Sequence, residues 1–147
     1  MLKEKYNHYS SLLDRTSKRV KQFAQSAFSR HNFDLTVDQW IVLRNLYECA
    51  ELTNKEMAMR CDKDQPTLTR IVDILLKKGL VIRQPHDTDR RSLHMRLTPA
   101  GIRKVEEIAP KVAEFRMQAW RNLTDEDFDH FTRILNKIYD NLTINEK

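Results

Sequence analysis

The sequence predicts a mostly α-helical fold with one small β-hairpin: a winged helix-turn-helix flanked by further helices. Three observations support this prediction. Only two Gly and four Pro occur in 147 residues, too few turn formers for an all-β sandwich or barrel. Threonines stand directly before four apolar stretches with helical spacing, as helix N-caps do. Residues 80–97 instead hold two short apolar runs separated by a polar turn, which is typical of a hairpin.

The helices are predicted in order along the chain. Apolar residues at helical spacing over 6–31 indicate one long helix. Capping boxes with flanking hydrophobic staples then begin three further helices, at Thr36–Gln39, Thr53–Glu56 and Thr124–Asp127. The first of these is expected over 36–48 and the second, which is short, over 53–60.

The next helix is expected over 65–78. Its apolar stripe includes Leu68, Val72 and Leu75, and Pro66 is tolerable only in its first turn. Gly79 follows two lysines and suits the left-handed position just after a helix.

The hairpin and the last two helices follow. Residues 80–83 and 93–97 form the two strands. Thr98-Pro99 begins a helix over 99–122, in which Pro110 is expected to produce a kink. Its inward residues are expected to be Val105, Ile108, Val112, Phe115, Ala119 and Trp120, and the last helix presents an apolar stripe from Phe128 to Leu142.

Composition excludes several classes of function. Two glycines, Gly79 and Gly101, cannot build a Gly-rich phosphate loop. The longest uncharged stretches have eight residues, against about 20 for a membrane span. The first ten residues lack the apolar core of a signal peptide, and two cysteines form no disulfide framework. We therefore expect a cytoplasmic protein without a membrane partner.

The positive charge is concentrated in the middle of the chain. The net charge is +5, and residues 53–100 carry ten Lys and Arg against six Asp and Glu. A local excess of this kind favours a polyanionic partner. The same pattern also fits a solvated basic surface, so charge alone leaves both interpretations open.

Two short helices followed by a basic hairpin give the charge excess a specific meaning. The second helix of a helix-turn-helix enters the major groove with its N-terminal residues at the base edges. Here those residues are Gln65, Thr67, Thr69 and Arg70. The hydroxyl of Thr67 has the alternative role of capping its own helix.

The tip of the hairpin carries two further basic candidates, Arg90 and Arg91. An arginine at a thin tip suits a narrow minor groove. Asp89 is positioned to hold Arg91 extended. We therefore predict that the hairpin contacts DNA beside the recognition helix.

These residues resemble the MarR family of bacterial transcription regulators. The resemblance rests on Asp64-Gln-Pro-Thr-Leu-Thr-Arg70, Leu76-Lys-Lys-Gly-Leu80, Asp87-Thr-Asp-Arg-Arg91 and Leu97-Thr-Pro-Ala-Gly101. It implies that Arg91 is the wing arginine and Asp89 its tethering partner. It also implies a homodimer on a pseudo-palindromic operator and a small ligand, commonly aromatic, that loosens DNA binding.

The organisation expected on these grounds is a single domain over 1–147. Its winged helix-turn-helix core spans 36–97, and helices over 1–34 and 99–147 build the dimer. The many aromatic residues of those outer helices exceed what a small winged domain covers, which independently favours a dimer.

The remaining candidates are weaker. Trp40, Tyr47 and Trp120 are candidates for a ligand pocket, with a core or dimer-interface role as the stronger alternative. Cys49 and Cys61 leave open a thiol-based redox sensor, although no cation and His cluster marks either as a reactive thiolate. Histidines do not pair at ligand spacing, so no metal or other cofactor is expected.

No catalytic constellation stands out, so no enzyme activity is expected. We therefore predict a DNA-binding transcriptional regulator that acts as a repressor and is released by a ligand. A winged-helix module that binds protein instead of DNA is the alternative from another class.

Overall fold

The structure is a computed structural model that describes residues 1–85 and 93–144. Within those ranges the chain forms six α-helices, three β-strands and one 3₁₀ turn. In chain order they are α1 (Leu2–Arg30), α2 (Val37–Cys49), β1 (Glu51–Thr53), α3 (Asn54–Cys61), α4 (Gln65–Lys77), β2 (Val81–Pro85), β3 (Leu93–Leu97), α5 (Pro99–Met117), the 3₁₀ turn (Gln118–Trp120) and α6 (Asp125–Asn141). The predicted mostly helical, winged helix-turn-helix fold is confirmed.

Side-chain caps fix where the helices begin. The Thr36 hydroxyl accepts from the Gln39 amide at 3.1 Å, and the Gln39 side chain accepts from the Thr36 amide, also at 3.1 Å. The Thr124–Asp127 box before α6 is equally complete. Before α3, the Thr53 hydroxyl caps the Glu56 amide at 3.1 Å, but the reciprocal half of the predicted box is not formed.

The end of α4 confirms the predicted role of Gly79. Its φ is +73°, and its amide donates to Leu76 O while the Leu80 amide donates to Leu75 O. These two bonds form a Schellman motif, which satisfies the last carbonyls of the helix and turns the chain into β2.

The hairpin is part of a three-stranded antiparallel sheet with the order β1-β3-β2. The strand β1 was not predicted. It pairs Leu52 with Met95, and both side chains are buried. Pro85 lies at the end of the edge strand β2, where the missing N–H costs no ladder hydrogen bond.

The chain divides into two compact units, residues 1–115 and 116–147. In the first unit the core gathers α1 to α5 and the sheet. The Phe28 ring is central, with ring centroids 5.1 Å from Phe33, 6.5 Å from Trp40 and 5.8 Å from Phe115. Other fully buried members are Leu43, Leu46, Met57, Leu68, Val72, Leu75, Met95 and Ile108.

The second unit corrects the predicted helix over 99–122. The helix α5 ends at Met117, and Ala119 and Trp120 lie exposed in the 3₁₀ turn instead of facing inward. Asn122 then adopts a φ of +67° and Thr124 an extended conformation, because the chain must turn before Thr124 can cap α6. Trp120 packs against Phe128 and Phe131 in this unit, at centroid distances of 5.9 and 5.5 Å.

Candidate nucleic-acid interface

Asp64 fixes the first turn of α4, which is the predicted recognition helix. One carboxylate oxygen accepts from the Thr67 amide at 2.8 Å, and the other accepts from the Thr67 hydroxyl at 2.9 Å. These two hydrogen bonds from Thr67 lower the pKa of the Asp64 carboxyl below its usual value. Pro66 lies in the first turn, where its missing N–H leaves no helical bond unmade.

One face of α4 is committed to the core and the other is open. Leu68, Val72 and Leu75 are buried, whereas Gln65 and Arg70 are exposed. Over residues 1–85 and 93–144, neither the Gln65 amide side chain nor the Arg70 guanidinium has a hydrogen-bond or ion-pair partner. The polar face is therefore free to engage a partner from outside.

The two threonines on α4 are already engaged within the helix. Besides the Thr67 bond to Asp64, the Thr69 hydroxyl donates to Gln65 O at 2.9 Å. Both side chains are half-buried, at the margins of the exposed face. The Thr67 hydroxyl therefore does not cap the helix backbone, as the sequence alternative had it. Asp64 is the cap, and it accepts from both the amide and the hydroxyl of Thr67.

Ion pairs hold α4 against its neighbours. Asp73 pairs with Arg83 of β2 at 3.4 Å. Asp38 of α2 pairs with Lys63, in the turn before α4, at 3.4 Å and with Lys21 of α1 at 3.6 Å. The first pair joins the recognition helix to the sheet, and the other two join the turn before it to α2 and α2 to α1. The buried Leu68, Val72 and Leu75 fix which side of α4 stays open.

The strands of the hairpin also carry polar side-chain contacts of their own. Arg96 of β3 donates to the Gln84 side chain of β2, and His94 lies 3.5 Å from a carboxylate oxygen of Glu51. The tip candidates Asp89, Arg90 and Arg91 lie outside the described residues, so their predicted contacts remain predictions.

The residues that hold α4 in position were not predicted from the sequence, in contrast to those predicted to contact DNA. Neither Asp64 nor Asp73 was given a positioning role from the sequence. An Asp three residues before a Thr, with Pro between them, is a readable N-cap signal. The Asp73–Arg83 pair joins elements whose relative placement no local pattern contains.

The three aromatic candidates for a ligand pocket occupy different environments. Trp40 is buried in the core, and its indole Nε1 has no hydrogen-bond partner in the part of the chain that the structure describes. Tyr47 is about half exposed and donates to Glu106 of α5 at 3.3 Å. Trp120 lies in the second unit.

A cavity of about 450 Å³ lies elsewhere in the first unit, where α1 ends and α2 begins. The lining residues are Phe28, Ser29, Asn32, Asp34, Leu35, Thr36, Gln39 and Lys78. None of the three aromatic candidates lines it, so their ligand role stays a prediction.

The structure gives Cys61 an environment that disfavours a reactive thiolate. Burial raises the pKa of the Cys61 thiol, in spite of the opposing effect of Arg44, Arg60 and Lys63. Its sulfur lies 3.5 Å from Met57 Sδ and 3.8 Å from the Asn45 amide nitrogen. Since oxidation proceeds through the thiolate, this geometry gives the redox alternative no support at Cys61.

Within residues 1–85 and 93–144, no three His, Cys, Asp or Glu side chains gather as metal ligands would. None of the helices there has the length and apolar character that crossing a membrane requires.

The short helices α3 and α4, the sheet behind them and the open polar face of α4 define a winged helix-turn-helix transcriptional regulator. Residues 35–93 match the model of the MarR family. Among curated proteins, the HTH-type transcriptional repressor YetL of Bacillus subtilis is 25% identical over 138 residues, covering 92% of this chain and 81% of that protein.

Solved structures agree in fold. The S. aureus MepR–DNA complex has a TM-score of 0.81 and 27% identity, and the match covers 91% of this chain and 98% of that one. The reduced form of MarR from E. coli has a TM-score of 0.71 and 25% identity, with 88% and 94% of the two chains covered. These matches extend well beyond the family model, to the helices on both sides of it.

Proposed function

We propose that this chain is a cytoplasmic, sequence-specific transcriptional regulator that binds duplex DNA as a homodimer and acts as a repressor. The observation that carries the proposal is the open N-terminal half of α4, where Gln65 and Arg70 are exposed on a helix held by Asp64. Glutamine and arginine form bidentate hydrogen bonds with adenine and guanine in the major groove. The relatives support the assignment, because one is a repressor and another was crystallised with DNA.

The hairpin arginines complete the proposed interface. We infer from the family resemblance that Arg91 enters the minor groove while Asp89 holds it extended. From the basic tip we infer that Arg90 contacts DNA as well. Phosphate neutralisation by these and neighbouring cations supplies much of the affinity, so binding falls steeply as salt increases.

The second copy is needed to cover apolar side chains that this chain leaves open. Tyr6, Tyr9 and Val20 of α1 are more than half exposed, and α6 has no buried residue. Exposed apolar side chains grouped along one helix in this way mark an interface. In a homodimer they are buried, and the two copies of α4 are presented to adjacent major grooves about 34 Å apart.

Regulation is proposed to come from a small ligand that loosens DNA binding, and the protein has no catalytic role of its own. We place this ligand in the depression of about 450 Å³ where α1 ends and α2 begins, whose polar and apolar lining includes Gln39 and Lys78.

Selection of bound duplexes from a random pool tests the function. The protein is expected to enrich one sequence with two related half-sites. Arg70→Ala should relax the preference at one base pair of each half-site more than it lowers non-specific binding. Arg133→Ala on α6 removes the same charge and should leave the selected sequence unchanged.

Two results would contradict the proposal. A pool that yields no enriched duplex, with binding insensitive to salt, would favour the alternative of a protein-interaction module. An unchanged base preference in Arg70→Ala would show that Arg70 does not contact the bases.

A further inference from the structure

Thr67 and Thr69 lie on opposite sides of Arg70 around α4, since each residue advances about 100° around a helix. Both are half-buried at the margins of the face that leaves Gln65 and Arg70 open. They are therefore the hydroxyl groups of α4 that border any molecule docked on that face.

Each of these hydroxyls already donates its only proton to a hydrogen bond within the chain. The Thr69 hydroxyl is 2.9 Å from Gln65 O, a backbone carbonyl that can only accept. The Thr67 hydroxyl is 2.9 Å from an oxygen of Asp64, whose carboxylate also receives the Thr67 amide at 2.8 Å. A carboxylate held ionised in this way can likewise only accept. The direction of both hydrogen bonds is thus fixed by the chemistry of the partner.

What remains available on each threonine is an oxygen lone pair and a methyl group. In the major groove, hydrogen-bond donors are the amino groups of adenine N6 and cytosine N4. Guanine O6 and N7, thymine O4 and the phosphate oxygens are all acceptors. An oxygen that can only accept is therefore matched to an amino group and mismatched to the others.

We propose that Thr67 and Thr69 read DNA as acceptor-only groups, selecting an adenine or cytosine amino group in place of a guanine, a thymine or a phosphate. This inference rests on the proposed function, since it assigns base chemistry to the same helix face. It also assigns different chemistry to the residues of α4. Arg70 supplies only donors, Gln65 supplies a donor and an acceptor, and the two threonines supply acceptors.

The experiment uses the full-length protein and the operator enriched from the random pool. In each half-site, adenines are replaced one at a time by the purine nucleoside, which lacks the N6 amino group and keeps N7. Cytosines are replaced by the 2-pyrimidinone nucleoside, which lacks the N4 amino group. Affinity is measured by fluorescence anisotropy for the wild type, Thr69→Val and Thr69→Ser, and likewise for Thr67→Val and Thr67→Ser.

At one amino group in each half-site for each threonine, the wild type is expected to lose about tenfold in affinity. The matching Val variant should lose about as much on the unmodified operator and little more when that amino group is removed. The Ser variant, which keeps the hydroxyl, should remain sensitive to the amino group.

Thr132→Val is the matched control. The Thr132 hydroxyl of α6 donates to Phe128 O at 2.8 Å, the same bond to the fourth preceding carbonyl that Thr69 makes. A purely structural role for the Thr69 bond predicts equal effects on melting temperature in Thr69→Val and Thr132→Val, and no coupling of either to a base.

The outcomes separate this inference from the proposed function. Coupling between a threonine and an amino group supports it. Coupling to methylphosphonate, to 7-deazaguanine or to removal of a thymine methyl group overturns it, as does an operator indifferent to every amino deletion, and the regulator function then stands. A pool without any enriched duplex overturns both. If a Val variant does not fold, the wild-type analogue series decides alone.

Discussion

The helices α4 and α6 are both amphipathic, and both begin at a capping side chain, yet they use their apolar faces in opposite ways. In α4, Leu68, Val72 and Leu75 are buried within the chain, so the face that remains open is polar. In α6 no residue is buried, and Phe131 and Ile138 remain exposed. A helix completed by its own chain offers its polar side to a ligand such as DNA, whereas a helix left incomplete needs another copy.

The largest effect is expected from Ile138→Asp, which changes the exposed apolar face of α6. A carboxylate on the apolar stripe opposes burial against a second copy, because an unpaired buried charge is costly. We expect single chains in sedimentation velocity and a loss of about a hundredfold or more in operator affinity, as two linked sites become one.

Asn136→Asp is the matched control, since it adds the same charge to the polar side of α6. Dimers and full affinity should persist in that variant. An Ile138→Asp protein that still sediments as a dimer would show that α6 does not pair the two copies.

The next largest effect concerns the packing directly behind α4, where Gly101 at the start of α5 meets Leu80. A Cβ at Gly101 would lie 2.1 Å from Leu80 O, so the backbone must move. Gly101→Ala is expected to lower the free energy of unfolding by about 3 kcal/mol in urea titrations, as strong overpacking does.

Gly79→Ala provides the comparison, because a Cβ at Gly79 meets no atom within 4 Å and only its φ of +73° is unfavourable. Its cost should be about 1 kcal/mol. Equal costs at the two positions would refute the close approach between α5 and Leu80.

Sequence patterns predicted those parts of the fold whose causes are local. The Thr36 box, the Thr124 box and Gly79 fixed helix ends correctly, because each acts through bonds to residues two to five positions away. The strand β1 was missed, since three residues show no period of their own and are extended because β3 has a free edge. The end of α5 was placed too late because the apolar period continues into a 3₁₀ turn.

The candidate site divides in the same way. The exposure of Arg70 follows from the helical period, because Arg70 lies opposite the buried stripe of α4. Gln65 shares the period of Leu68 and Val72 and is exposed because it begins the helix. The commitment of the threonine hydroxyls and the Asp73–Arg83 pair depends on three-dimensional geometry. Arg90 and Arg91 stay predictions from sequence.

Arg91→Ala removes a cation that we propose contacts DNA beside α4. We expect operator affinity to fall by about 1–3 kcal/mol at matched salt, with a shallower dependence on salt concentration. Arg133→Ala on α6 removes one positive charge from the other helix and should change neither. Unaltered affinity in Arg91→Ala would contradict the predicted minor-groove contact.

The smallest effect is the pH dependence of the cap on α4. Because the folded chain lowers the pKa of Asp64, the cap contributes fully above the unfolded pKa, about 3.9, and is lost as pH falls through the lower folded value. Asp64→Asn keeps an acceptor oxygen without a carboxylate. As the pH is lowered from about 5 to about 2.5, its melting temperature should therefore decline less than that of the wild type.

Asp62→Asn makes the same change two residues earlier, at a side chain that accepts no hydrogen bond in residues 1–85 and 93–144. Its melting temperature should fall with decreasing pH as that of the wild type does. Coincident acid limbs for Asp64→Asn and the wild type would show that the carboxylate is not the group that titrates with folding.

We expect two copies of the chain to present two α4 helices to one double helix at a fixed separation. Analytical ultracentrifugation can measure this with the protein on its selected operator and on the same operator with about five base pairs inserted between half-sites. Two chains should bind the original duplex, and the two-chain complex should be lost after the insertion, which turns one half-site away. A single bound chain, or equal binding to both duplexes, would contradict it.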